Sequence, residues 1–212
     1  MEVLRNVSLS SEKDKWYWFD DKQFGFSVKS VKKSLTAERE TSHPPNFIWC
    51  KWLPIKYNIM AWRGNLDRLP TRVNLRRKNV DIPSVLCPLY NDYEETVDHL
   101  FTTCSVALQV WSVFSVWCNI PLLFFFEFKD ILESHKLIKS GKKAEKIIYR
   151  LGIIACWCIW KGRNDTIFNQ RKCSSSDIIR EFKSRGYAWV KNRTSCKYII
   201  WADWCKYPLY ML

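Results

Sequence analysis

The apolar positions of this chain open with a short β-like stretch and continue as a succession of helical periods. Trp16-Tyr-Trp-Phe19 and Phe24-Gly-Phe26, joined through the polar Asp20-Asp21-Lys22, predict a small N-terminal β-hairpin. Ser27 or Ser30 can then cap a helix running to about Thr36. Val28, Val31 and Leu35 share one face of it, and Lys29, Lys32 and Lys33 the other. Residues 37–46 are charged and then Pro-Pro, which predicts a loop carrying a solvent-facing His43.

Phe47 to Leu53 is a short apolar segment stopped by Pro54. A helix follows from Ile55 to about Leu66, with Ile55, Ile59, Trp62 and Leu66 spaced to share a buried face. Leu69-Pro70 ends it, because proline lacks a donor and disfavours helix at the preceding residue. Thr71 can cap a second short helix from Arg72 to Lys78, buried through Val73 and Leu75. Glu94 to Thr103 predicts a short helix carrying His99. Ser105 to about Trp117 is apolar almost all round and should be buried.

Beyond Pro121 the pattern is helical throughout. A short helix is expected over Phe128–Leu137 and a long central one from Lys142 to about Phe168. Ser174-Ser-Ser-Asp177 has the spacing of a capping box and opens a last helix through Trp189 and Val190. An aromatic tail runs from Trp201. The fold class expected is therefore mainly α with a small N-terminal β-hairpin. Three parts are expected: a hairpin and helix over 1–46, a knuckle-bearing helical domain over 47–120, and a basic helical region over 121–212.

Composition supports a packed core. The 212 residues are 47% hydrophobic, with 12 Trp, 12 Phe and 9 Tyr, far from the make-up of a disordered segment. No apolar run reaches the roughly 18 residues a membrane-spanning helix needs. Nine cysteines without a secretory leader, several inside apolar runs, point to a reduced intracellular protein rather than a secreted one. Net charge is +13, and residues 151–212 hold eleven Lys and Arg against four Asp and Glu. Such an excess favours a polyanionic partner, nucleic acid (RNA or DNA) before a membrane surface; the alternative is a basic protein with no such partner. Arg68, Arg72, Arg76, Arg77 and Lys78 concentrate on the second short helix and the turn before it. These residues are the candidate nucleic-acid contacts. Two helices joined by a tight turn suggest a helix-turn-helix arrangement, against a merely solvated basic face.

The candidate chemistry lies between Leu86 and Trp111. Cys87, His99 and Cys104 supply three donors of the kind zinc takes, and a cysteine at position 90 would complete a C-x2-C…H-x4-C knuckle. Tyr90 stands there instead, and a neutral phenol is a poor zinc ligand. Asp92 or a water could supply a fourth donor. The residues alone leave three readings: a metal site, a lapsed metal site, or two core thiols with a locally paired histidine. No Tyr-x-Asp-Asp pair or recurring acidic set for two-metal chemistry is present, so no catalytic residue is assigned and no small-molecule substrate is expected.

Several spaced motifs occur together. They include Phe26-Ser-Val-Lys-Ser30, Phe47-Ile-Trp49, Trp52-Leu-Pro-Ile-Lys56, Ala61-Trp62 and Arg68-Leu-Pro-Thr-Arg-Val-Asn-Leu75. Cys87-Pro-Leu-Tyr90, Glu94-Glu-Thr-Val-Asp-His-Leu-Phe101, Cys104 and Trp111 follow, and then Trp157-Cys-Ile-Trp-Lys-Gly-Arg-Asn164 with Ile167-Phe168. In this order the chain resembles the zinc-binding domain downstream of the reverse transcriptase in plant LINE-type (non-LTR) retrotransposons. The resemblance implies Zn2+ as cofactor, ligand positions at Cys87, Tyr90, His99 and Cys104, and a role gripping template RNA or target DNA beside an RNA-directed DNA polymerase. It also implies a noncatalytic nucleic-acid-binding module detached from its enzyme. The alternative is a vestigial or protein-interaction domain with no ligand of its own.

Overall fold

A computed structural model of the chain describes residues 27–31, 47–137, 141–193 and 198–209. The chain divides into two units, residues 1–46 and 47–212. In the first, residues 28–31 form a helical turn whose Ser30 N–H donates to the Ser27 hydroxyl at 3.1 Å. Ser27 is thus the cap. The predicted hairpin, the rest of the helix to Thr36 and the loop at 37–46 lie outside the described residues.

The second unit is helical. Its elements are α1 (Ile55–Asn65), α2 (Arg72–Arg77), a π-helical turn (His99–Thr103), α3 (Ser105–Cys118) and α4 (Phe128–Glu133), which runs on into a 3-10 turn (Ser134–Leu137). Then come α5 (Lys142–Phe168), α6 (Ser175–Arg193) and α7 (Trp201–Lys206). Among the described residues the one β pairing is an isolated antiparallel bridge between Leu86 and Glu94. No described helix is long and apolar enough to cross a membrane.

α5 is the axis of the unit. Ile147, Ile148, Leu151, Ile153, Ile154 and Ile159 are all buried on it, so it is apolar on nearly every side and must be covered all round. α6 and α1 cover it along most of its length, and α3, α4 and the 3-10 turn close the remaining sides. α3 also packs on α6, where Phe114 and Trp117 lie against Phe182. Trp204 of α7 seals the far end, donating its indole N–H to the Lys183 carbonyl and accepting at its own carbonyl from Trp117. Residues 47–120 and 121–212, expected as successive parts, contribute side chains to one core.

Some expected faces are reversed. α1 buries Tyr57, Asn58, Met60, Ala61 and Gly64, while the predicted stripe of Ile55, Ile59 and Trp62 faces outward. Both stripes have helical spacing; the small residues win because they let another element approach. A Cβ on Gly64 would stand 2.7 Å from the Phe128 ring of α4. In α2 the buried residue is Asn74, whose amide donates to the Asp67 and Leu69 carbonyls, with Val73 and Leu75 only half-buried. The helix expected over 94–103 begins at Val97, because Glu94 is engaged in the bridge to Leu86. On α3, Leu108 and Val116 remain exposed.

One ion pair joins the long helix to the segment carrying the candidate chemistry. Glu95 and Arg163 are both essentially inaccessible, and Arg163 donates from Nε and Nη2 to the two Glu95 carboxylate oxygens at 2.6 and 2.7 Å. The same carboxylate accepts the Arg72 backbone N–H at 2.7 Å, satisfying the open first turn of α2. Arg163 also donates to the Pro70 carbonyl at 3.2 Å. Removing one partner strands the other charge in the core, so Arg163→Met should lower unfolding free energy by about 3–5 kcal/mol. The double change Glu95→Gln with Arg163→Met should cost less than the sum of the single changes. Urea unfolding of the four proteins checks this, and additive costs would refute it.

Candidate metal centre

The Leu86–Glu94 bridge pinches residues 86–94 into a tight loop. Cys87 N–H donates to the Tyr93 carbonyl and Asn91 N–H donates to the Cys87 carbonyl, each at 2.7 Å. Asn91 adopts a left-handed backbone (φ 65°), which asparagine tolerates better than most residues. Cys87 is thereby turned inward and fully buried.

The other two donors come from the π-helical turn. Cys104 N–H donates to the His99 carbonyl five residues back, at 2.8 Å. In an α-helix, residues five apart point about 140° away from one another; the wider turn brings His99 and Cys104 to one side. Such turns favour functional positions. Asp98 ties the turn to its surroundings, its carboxylate accepting from Phe128 N–H and its carbonyl from the Thr102 hydroxyl.

Three ligand atoms converge as a result: the Cys87 and Cys104 sulfurs and a His99 ring nitrogen lie within 4.8 Å of one another, all buried. The two sulfurs are 3.9 Å apart. A tetrahedral zinc about 2.3 Å from each thiolate wants them about 3.8 Å apart. His99 Nδ1 pairs with the Thr103 hydroxyl at 3.1 Å, whereas its Nε2 is buried with no hydrogen-bond partner. A buried, unpartnered ring nitrogen beside two thiols fits a metal ligand and is costly otherwise. Cys104 stands at the N-terminus of α3, where the Cys87 thiol and the Val106 and Ala107 N–H groups favour its thiolate and hold its pKa low. Cys87, the donor to that thiolate and itself buried, is pushed up.

Tyr90 does not join this cluster; its side chain is 54% exposed. Among the described residues no fourth His, Cys, Asp or Glu comes into the group. Glu95 is consumed by Arg163, and Asp92 is exposed.

Of the five candidate nucleic-acid contacts, Arg68, Arg76 and Lys78 are exposed, with no ion pair among the described residues. Arg72 is half-buried and donates to the Leu86 carbonyl at 2.7 Å, bracing the knuckle. Arg77 pairs with Asp67 at 3.1 Å. In the sequence Glu95 has nothing to distinguish it from its neighbour Glu94. The available signal was Arg163, a charge on the apolar stripe of α5 one turn beyond Ile159.

A helical domain carrying a buried Cys–His–Cys cluster on a pinched loop and a π-turn has three donors of the kind a zinc knuckle uses. Residues 26–111 match the family described as zinc-binding in reverse transcriptase, and this segment of the chain is a reverse transcriptase zinc-binding domain. The match ends at Trp111, so α5 and its Arg163 lie beyond it. No curated protein and no solved structure matches the chain.

Purified from zinc-supplemented medium, the protein should carry about one zinc per chain. Cys104→Ser should lose it, and Tyr90→Cys should hold it at least tenfold more tightly by adding a fourth thiolate. Metal analysis with a chelator titration measures both. A zinc-free parent alongside a loaded Tyr90→Cys protein would mean that the site has lapsed.

Proposed function

We propose that the chain is a noncatalytic nucleic-acid-binding module of the reverse transcriptase-associated type, with zinc held by Cys87, His99 and Cys104. The observation that carries the metal part is the buried His99 Nε2, unpartnered beside two thiols within the family-matched segment. Bound there, zinc would act as a structural cross-link between the pinched loop and the head of α3. The chain's own residues do the rest: Thr103 orients the His99 ring, and Arg72 and Glu95 fix the loop against α2.

Nucleic-acid binding is supported by the +13 net charge and by Arg68, Arg76 and Lys78, which are exposed and have no ion-pair partner among the described residues. An intracellular site of action, and an origin in a plant LINE-type retrotransposon polyprotein, follow from the resemblance. A protein-interaction role is the second reading. It is favoured by the outward stripe of Ile55, Ile59 and Trp62 on α1, apolar surface that the described residues do not cover.

The test is binding to an RNA hairpin across a salt series. The log of affinity should fall linearly with the log of salt concentration. Replacing Arg76 or Lys78 by alanine should reduce the slope by about one each. Arg77→Ala, whose charge is already paired with Asp67, should change it less. Failure to bind at low salt, or binding without a salt slope, would refute the nucleic-acid reading and leave the protein-interaction one.

A further inference from the structure

Residues 47–50 have no regular secondary structure, yet they hold large apolar side chains in water: Ile48 and Trp49 are exposed, Trp49 by 52%. The segment is firmly anchored. Buried Asn58 of α1 accepts the Cys50 N–H at 2.8 Å and donates to the Cys50 carbonyl at 3.0 Å. From α5 the Tyr149 hydroxyl donates to the Ile48 carbonyl at 2.6 Å. Phe47 meets the Trp49 ring edge-on at 5.4 Å, and Trp62 stands 6.4 Å from it. Two buried polar anchors therefore fix the backbone of a segment whose largest side chain keeps about half its surface in water. That combination presents an indole to something else, because a rigid exposed aromatic loses little conformational entropy on binding.

A cleft of about 450 Å³ opens beside it, between residues 48–52 and the N-terminal half of α5. One wall is Trp52, with the Arg150 guanidinium 3.4 Å from its ring centroid. Lys51 and Lys146 are exposed at the rim. Neither these lysines nor Arg150 has an ion-pair partner among the described residues, and Glu145 is the one acidic residue in the lining. His135 lies in the wall with its Nδ1 against the Leu132 carbonyl. A planar apolar ring, a guanidinium already stacked on a second ring and two unpaired ammonium groups match what an unpaired nucleotide offers: a flat base to stack and a phosphate on either side. A duplex buries its base faces and offers only the phosphates.

We propose that this cleft takes an unpaired nucleobase of single-stranded nucleic acid, stacked on Trp49, with the flanking phosphates on Lys51 and Lys146. The proposal rests on the nucleic-acid reading above and assigns strand preference to residues other than the basic stretch at 68–78. Fluorescence anisotropy with the full chain tests it, using a labelled single-stranded RNA of roughly 12 nucleotides and a duplex of the same length, for wild type, Trp49→Ala and Trp49→Phe. Wild type should favour the single strand. Trp49→Ala should weaken single-strand binding roughly tenfold or more with duplex binding unchanged, and Trp49→Phe should retain most of it. Thermal melting should show all three proteins folded at the assay temperature, since Trp49 is not among the buried core residues. Wild-type affinity of Trp49→Ala for the single strand, or an equal loss on both ligands, overturns the inference while the nucleic-acid reading stands. Absence of binding to either ligand by the wild type overturns both.

Discussion

The pairing of Glu95 with Arg163 is the constraint on which the arrangement of the site depends. A carboxylate and a guanidinium without access to water are tolerable only when nearly all their hydrogen-bonding capacity is met. Here Glu95 is met by Arg163 and the Arg72 N–H, and Arg163 also by the Pro70 carbonyl and the Asn164 side chain. Those bonds can be made together in one relative placement of α5, α2 and the segment entering the π-turn. Since Arg72 also braces Leu86, the position of the Cys87 loop is set by the same network. Burial of apolar surface supplies most of the driving force for this core; directional bonds of this kind select which arrangement is adopted.

Local chemistry finishes what the ion pair positions. The pinched loop aims Cys87 inward, the π-turn aligns His99 with Cys104, and the head of α3 favours a thiolate at Cys104. Each device uses backbone groups, so the cluster converges without a fourth protein ligand. The departure at Tyr90 therefore falls on an exposed turn position and leaves the geometry of the other three donors intact.

Helix positions were largely legible in the chain. Lys142–Phe168 and Ser105–Cys118 agree with their apolar periods to within a residue or so, and the box at Ser174–Asp177 is formed as its spacing implied. The cluster of Cys87, His99 and Cys104 was legible too, because donor type and spacing carry it. Which stripe of α1 is buried was not. Ile55, Ile59 and Trp62 are the more hydrophobic set, but Gly64 and Ala61 permit the close approach, and a sequence pattern scores hydrophobicity rather than fit. The network around Glu95 was hidden for a related reason: residues 68 positions apart are brought together by the fold, and single-sequence periodicity carries no such information. The same holds for Trp49, whose exposure follows from the bonds that Asn58 and Tyr149 make to its neighbours Cys50 and Ile48.

The identity of the donors that zinc would meet at Cys87, His99 and Cys104 is open to direct measurement. X-ray absorption at the zinc edge of the purified, zinc-loaded protein reads them without mutation. The expected result is two sulfur scatterers at about 2.3 Å and at least one imidazole nitrogen at about 2.0–2.1 Å. A shell of oxygen and nitrogen alone, or one with three or more sulfurs, would contradict it.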